Sequence, residues 1–295
     1  MEMTMKNVML RKYAGIFAAA VSAAFFTGCQ SYAKLPVMFH TSQGARSISE
    51  IQASGKIRIA AYSEENEFSY IDKDGRASGY GVYFGNRIAK DLGVQAEYVP
   101  ILPSERIETL DKGKVDVLLA NFTKTSYRET RVDFALPYMK VSLGVLSPEK
   151  ALITTLDELN GKTLIVVKGT KAETFFRTYR PEIRLLSFDG YKEAYDALIT
   201  GTGDAFSSDN TIVRRWAYST PGFKAGIETF GSPDVIAPAV RKGNTEMLKW
   251  LNREIRYLAG EKFFHTDFEE TLRPIYGPSA KADDFVIEGG TVNRK

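Results

Sequence analysis

The sequence has 295 residues, enough for about two domain-sized units, and its 44% hydrophobic and 25% charged content is that of a globular chain rather than a collagen-like or low-complexity one. The net charge is +3; without residues 1–28, which hold Lys6, Arg11, Lys12 and Glu2, it falls to +1, so charge gives no argument for a nucleic-acid partner. One cysteine, Cys29, and two histidines, His40 and His265, exclude an internal disulfide and a multi-cysteine metal site, and no metal or other cofactor is implied.

Lys6, Arg11 and Lys12 precede an apolar run over residues 13–26, YAGIFAAAVSAAFF. A membrane-spanning helix needs about 20 residues, so this run suits the apolar region of a signal peptide. It leads into Phe26-Thr27-Gly28-Cys29, which looks like a bacterial lipobox, although Thr27 is a less usual choice there than Ala or Ser. The alternative is a buried cysteine after a plain signal peptide. The expectation is a signal peptide over 1–28, lipidation of Cys29, and a tether over 29–46 that contains His40 and reaches on the order of 20–25 Å as a flexible coil.

Ser47 and Glu50 have capping-box spacing at the start of a short helix. Lys56 to Ala61 reads as a buried strand, followed by a polar loop with Glu64, Glu65 and Glu67. Asp72-Lys73-Asp74-Gly75 is a hairpin signal; a calcium loop would need Glu where Tyr83 stands. Val82 to Leu92 is an amphipathic helix closed by Gly93. A strand over Gln95 to Val99, a helix over Arg106 to Lys112 and a strand over Val115 to Ala120 complete an alternating strand–helix pattern, which argues for an α/β sheet with parallel members. A short strand over Val132 to Ala135 follows. The pattern then repeats: strands over Val141 to Ser147, Thr163 to Val167, Ile183 to Ser187 and Ala205 to Ser207, with helices over Lys171 to Tyr179, Tyr191 to Ile199 and Asp209 to Ala217. Asp234 to Val240 is one strand pointing back to the first unit. Helices over Glu246 to Ala259 and Phe263 to Leu272 precede a polar tail from 277.

Two lobes follow from this repeat: 47–141 with 240–276, and 142–239 between hinge strands, with 277–295 as a C-terminal tail. Ligand chemistry belongs in the crevice at the carboxyl ends of the strands. The loop Asn121-Phe122-Thr123-Lys124-Thr125-Ser126, with Arg128 just beyond it, offers N–H groups, hydroxyls and a guanidinium suited to a carboxylate. The same residues also suit a plain connector whose Thr and Ser cap the next helix.

Laid out in this way, residues 47–275 resemble the family 3 extracellular solute-binding proteins, receptors of polar amino acid ABC importers. Thr123, Thr125 and Arg128, followed by Val132-Asp133-Phe134 and Pro137-Tyr138, look like the family's Thr-x-Thr-x-x-Arg loop. Val166-Val167-Lys168-Gly169-Thr170 is similar to its second-lobe Gly-Thr loop, and Asp204-Ala205-Phe206 with Asp209-Asn210 to its acidic strand end. Leu110 with Gly113-Lys114-Val115-Asp116-Val117 matches the first-lobe core. Ala120-Asn121-Phe122-Thr123, Pro137-Tyr138-Met139-Lys140-Val141, Phe263-Phe264-His265 and the string from Lys281 to Gly290 look like the cysteine-binding lipoprotein subgroup.

The resemblance implies a two-lobe type II periplasmic binding protein fold of mixed, mainly parallel sheets flanked by helices, with the ligand between the lobes. It implies that Arg128 grips an α-carboxylate with the N–H groups of Thr123 and Thr170, beside Gly169. Asp209 would take the α-ammonium with the Thr123 hydroxyl and the Asn121 carbonyl. Either threonine or aspartate of the second lobe could instead be a helix cap. The side-chain pocket departs from the family's Pro-Pro-Phe run: here it reads Glu65-Asn66-Glu67-Phe68, with Glu65 in place of a stacking aromatic and Tyr62 and Glu64 nearby. Arg106 is left open between pairing an acidic ligand and tying its helix to Glu64 or Glu105.

The expected function is a lipid-anchored, monomeric receptor at the periplasmic face of the cell envelope. It would bind a small polar L-amino acid, cysteine favoured over glutamate or aspartate, and deliver it to an ABC permease and its ATPase. A dehydratase-like enzyme competes, since cyclohexadienyl dehydratases resemble this family, and Glu173 or Glu64 would then supply the acid. A kinase sensory domain is the third possibility, weakened because no apolar spanning run follows residue 275.

Overall fold

The computed structural model describes residues 44–64 and 66–291. The signal-peptide reading, Cys29, His40 and Glu65 lie outside the described residues, as does most of the expected tether. Arg46, at the end of that tether, is docked: with Arg58 it binds the buried Asp116 carboxylate.

The first lobe begins with α1 (Ile48–Ser54), whose capping box forms as the spacing predicts: Glu50 N–H donates to Ser47 Oγ and Ser47 N–H to Glu50 Oε2. Then come β1 (Lys56–Tyr62), β2 (Tyr70–Ile71), β3 (Ala77–Ser78), α2 (Tyr80–Leu92), β4 (Gln95–Ile101), α3 (Arg106–Asp111), β5 (Val117–Leu118), α4 (Ser126–Glu129) and β6 (Val132–Phe134). The turn between β2 and β3 needs no ion, because Asp72 Oδ1 accepts from the N–H groups of Asp74 and Arg76. The expected strand over Val115 to Ala120 keeps only two paired residues, since its partners meet it only at Ile59, Ala60 and Ala239.

The second lobe holds β7 (Met139–Pro148), β8 (Thr163–Val167), α5 (Lys171–Tyr179), β9 (Arg184–Phe188), α6 (Tyr191–Ile199), β10 (Ala205–Asp209), α7 (Asn210–Ser219) and β11 (Phe223–Ile236). The chain returns through β12 (Ala239–Arg241) to α8 (Thr245–Ala259), α9 (Phe263–Asp267), a wide turn over Phe268–Leu272, α10 (Arg273–Tyr276) and α11 (Ala282–Phe285). The seven-stranded first sheet has the order β3-β2-β1-β5-β12-β6, with β4 paired to β1; the second is β11-β7-β10-β8-β9. Both sheets are mixed rather than mainly parallel: β1 pairs in parallel with β2, β4 and β5, and β8 with β9 and β10, while the β2–β3, β5–β12, β6–β12, β7–β10 and β7–β11 pairs are antiparallel. In β8 the side chains alternate: Leu164 and Val166 join an apolar cluster with Phe176, while Ile165 and Val167 join the larger core.

Two further expectations are corrected. The single strand expected over Asp234 to Val240 is the junction of two: β11 starts at Phe223 and ends at Ile236, and β12 starts after Pro238. Register shifts lie between Ala225 and Asp234, where Gly226, Gly231 and Pro233 interrupt the alternation and read as loop. The polar tail is also packed: Ala280, Phe285, Val286 and Ile287 are buried, Val286 bridges to Met139, and Ile287 N–H donates to the Tyr138 carbonyl. The tail thus lies beside the two lobe crossings, where Met139 and Ile236 pair.

Candidate functional site

The carboxyl ends of β1, β4 and β5 in the first lobe face the ends of β8, β9 and β10 in the second. At the end of β5 the backbone turns sharply at Asn121, whose φ of 43° is rare for a residue other than glycine. This turn leaves Asn121 only 1% exposed. Its carbonyl accepts from Arg106 Nη1 at 2.6 Å, and its side-chain nitrogen donates to Asp209 Oδ2 in the other lobe at 2.9 Å. Its Oδ1 is buried without a partner.

Thr123 faces Ile236 across a bridge flanked by Lys124 N–H to Val235 O and Ala237 N–H to Phe122 O. In that pattern the polar backbone groups of Thr123 itself point away from residue 236. Its carbonyl takes Arg128 Nη1 at 2.7 Å. Thr125 caps α4 by accepting from Arg128 N–H, as the cap reading of this loop expects. The guanidinium of Arg128 lies 4.5 Å from the Phe122 ring centroid, and that of Arg106 lies 5.0 Å from it. Phe122 was not among the expected site residues; its signals are one apolar residue inside a polar loop and its place in the Ala120–Thr123 string.

In the second lobe, the Gly169 carbonyl accepts from Nη2 of both Arg106 and Arg128, each at 2.9 Å. Thr170 caps α5: its Oγ1 accepts from Glu173 N–H and donates to Val167 O. Asp209 occupies the cap position of α7 but makes no side-chain cap bond there; its carboxylate turns into the cleft towards Asn121. Burial pushes the Asp209 carboxyl up, against the pull of Asn121, Arg106 and Arg128. Burial, aided by Arg106, pushes Arg128 down to about 9. Both groups thus sit where burial disfavours their charged forms.

The remaining expected residues divide. Tyr62 is buried, donates to Ala120 O at 2.8 Å, and meets Tyr191 of α6 edge-on at 5.9 Å. Phe68 is fully buried in the first-lobe core. Glu64 reaches α6 rather than Arg106, accepting from Lys192 N–H. Arg106 pairs with neither Glu64 nor Glu105: Nε donates to Pro103 O, and Nη1 donates to Asn121 O and Tyr62 Oη. Glu173 is engaged by Gly169 N–H and Arg177. Pro103, Ser104, Arg106, Phe122, Arg128 and Gly169 line a cavity of about 410 Å³ between the lobes. A larger groove of about 500 Å³ between α7, β11 and the C-terminal segment lies away from these groups. Among the described residues no helix is long and apolar enough to cross a membrane, and no group of three His, Cys, Asp or Glu side chains converges as a metal set would.

Two lobes, paired hinge strands and opposed charges at the strand ends make this a type II periplasmic binding protein fold. The chain belongs to the bacterial extracellular solute-binding proteins, family 3, whose model matches residues 57–262. The cysteine-binding protein of Campylobacter jejuni is 41% identical, with a TM-score of 0.79 over 82% of this chain and 98% of that one. The L-cysteine receptor of Neisseria gonorrhoeae is 40% identical, with a TM-score of 0.80 over 82% of this chain and 100% of that one. The L-cystine-binding protein of Escherichia coli is 27% identical over 210 residues, 70% of this chain and 79% of that protein.

Proposed function

We propose that this protein is the amino acid receptor of an ABC importer, tethered outside the cytoplasm by a lipid on Cys29, and that it captures a small polar L-amino acid, cysteine favoured, by closing its lobes. The observation that carries the reading is the Arg128–Asn121–Asp209 line across the cleft. Arg128 of one lobe and Asp209 of the other are both buried and act on each other electrostatically, and Asn121, which holds Asp209 through its side-chain nitrogen, has its Oδ1 without a partner. A zwitterion fits this line. Its carboxylate takes Arg128 in place of backbone carbonyls, and its ammonium takes Asp209 and Asn121 Oδ1, so each buried charge gains a partner. Because the two charges sit on different lobes, ligand favours the closed form over the open one.

Cysteine is favoured over an acidic ligand because the Arg106 N–H groups already hold carbonyls of Pro103, Asn121 and Gly169. A side-chain carboxylate would have to break those bonds in addition to the two that the α-carboxylate displaces from Arg128, whereas cysteine requires only the latter. The relatives named for cysteine and cystine point the same way. A thermal-shift panel of all amino acids and cystine tests this: L-cysteine should raise the melting temperature in proportion to the logarithm of its concentration. A larger response to glutamate or aspartate would overturn the ligand assignment. For the dehydratase alternative, Glu64 and Glu173 are both engaged by backbone N–H groups; product from prephenate would overturn the receptor reading.

Gly169 provides a test of closure. Its φ is 73°, and a Cβ there would sit 2.6 Å from Ser104 Cα of the other lobe. Gly169→Ala is therefore expected to cost about 1 kcal/mol of backbone strain and to weaken L-cysteine binding roughly tenfold or more, through a backbone clash that flexible side chains cannot relieve. Unchanged affinity by calorimetry would mean that Ser104 and Gly169 stand apart in the bound form.

A further inference from the structure

Glu64 leaves the loop after β1 in the first lobe, and its carboxylate ends on the first turn of α6 in the second. Oε2 accepts from Lys192 N–H at 3.0 Å. The cap position of α6 is Gly190, which has no side chain to satisfy the helix's first N–H groups. Its φ of −120° and ψ of 165° are ordinary extended values, so the backbone does not require glycine. The Glu64 carboxylate in this position does: a Cβ on Gly190 would overlap both of its oxygens, so the carboxylate could not stay where it is. Carboxylate, vacant cap and missing Cβ fit together across the cleft. Tyr62 and Tyr191, two residues from Glu64 and one from Gly190, meet beside them.

We propose that Glu64 is a closure latch, a first-lobe carboxylate that caps α6 of the second lobe when the cleft is shut and releases it when the cleft opens. It is a positioning residue, not a ligand contact, and its role in capture rests on the receptor reading above. A negative charge at a helix N-terminus is stabilising, and a charge-assisted bond to its N–H is stronger than a neutral one. Opening must break this bond, while association does not require it, so the latch slows ligand release more than it affects capture.

The test is a double-mutant cycle on the full chain saturated with L-cysteine, the state in which the lobes are shut, read by NMR amide exchange at Lys192. Glu64→Ala should raise that exchange roughly two- to tenfold. Gly190→Ala should do the same by evicting the carboxylate, and the double variant should exceed neither single one by a further multiple. Glu64→Gln keeps an acceptor without the charge and should fall between Glu64→Ala and the parent. Unchanged exchange in Glu64→Ala, or fully multiplicative effects in the cycle, would overturn the latch. Exchange within α8, remote from the cleft, reports whether each variant is folded. The thermal-shift response to L-cysteine, read on each variant, shows whether the amino acid is bound, so failure of the latch is told apart from failure of the ligand assignment. In a second arm with L-cysteine as the probe, Glu64→Ala should release ligand faster by the same factor with little change in association; an unaltered release rate would overturn the role in capture.

Discussion

Arg128→Ala should weaken L-cysteine binding by roughly a hundredfold or more in calorimetry. The guanidinium is 7% exposed, reaches carbonyls in both lobes and lies over Phe122. Without it a bound carboxylate would be buried with Arg106 as the remaining guanidinium, and that group is committed to backbone oxygens. Arg128→Lys should recover only part of the loss, since an ammonium keeps the charge but not the planar two-point grip. The ligand-free melting temperature should move much less than the affinity. Burial pushes Arg128 down to about 9, and this desolvation cost offsets part of what its bonds to the Thr123 and Gly169 carbonyls contribute to the fold. An affinity within a few-fold of the parent would remove Arg128 from the binding site.

The stability of the ligand-free protein should fall between pH 5 and 8, with Glu67 contributing about 3 kcal/mol at most. Its side chain is fully buried, both carboxylate oxygens lack a hydrogen-bond partner, and Arg215 of α7 stands 3.6 Å away across the lobes. Burial pushes it up to about 7, against the pull of Arg215. In the unfolded chain the group ionises near its ordinary value, so between these two limits the native state holds the extra proton. Stability from that proton is fully present below the unfolded pKa and is lost as pH rises through the native one. Glu67→Gln should flatten the decline. Glu254, which burial and then Asp91 also push up to about 7, remains in both proteins, so the difference in slope isolates Glu67. Equal slopes would show that Glu67 is not the group responsible.

What could be read from the sequence were features carried by short-range chemistry. The Ser47–Glu50 box, the Gly93 stop and the extents of α5 and α6 are of this kind, whereas the grouping of Asn121, Thr123, Arg128, Gly169 and Asp209 at one cleft came only through the family resemblance. Features whose partners are backbone atoms of distant residues were not. Arg106 was weighed between acidic partners because a side-chain pattern cannot display the carbonyls of Pro103, Asn121 and Gly169. Glu64 was grouped with ligand contacts because its partner, the Lys192 N–H, carries no sequence signature. The kinship strings at 137–141, 263–265 and 281–290 had no mechanism in sequence, yet they converge beside the lobe crossings. Tyr138 stacks on Phe264, Lys140 donates to the Asp283 carbonyl, and His265 contacts Asp283 and Glu288.

The position of β12 also bears on how the chain acquires its structure. It lies between β5 and β6, and among the described residues β6 pairs with no other strand. The second sheet is drawn from one continuous span, 139–236, whereas the first stays incomplete until residues 239–241 arrive from beyond it. Closing that separation costs chain entropy before any contact repays it. The second lobe is thus the unit able to assemble early, and the face carrying Asn121, Thr123 and Arg128 is finished last, against a partner surface already in place.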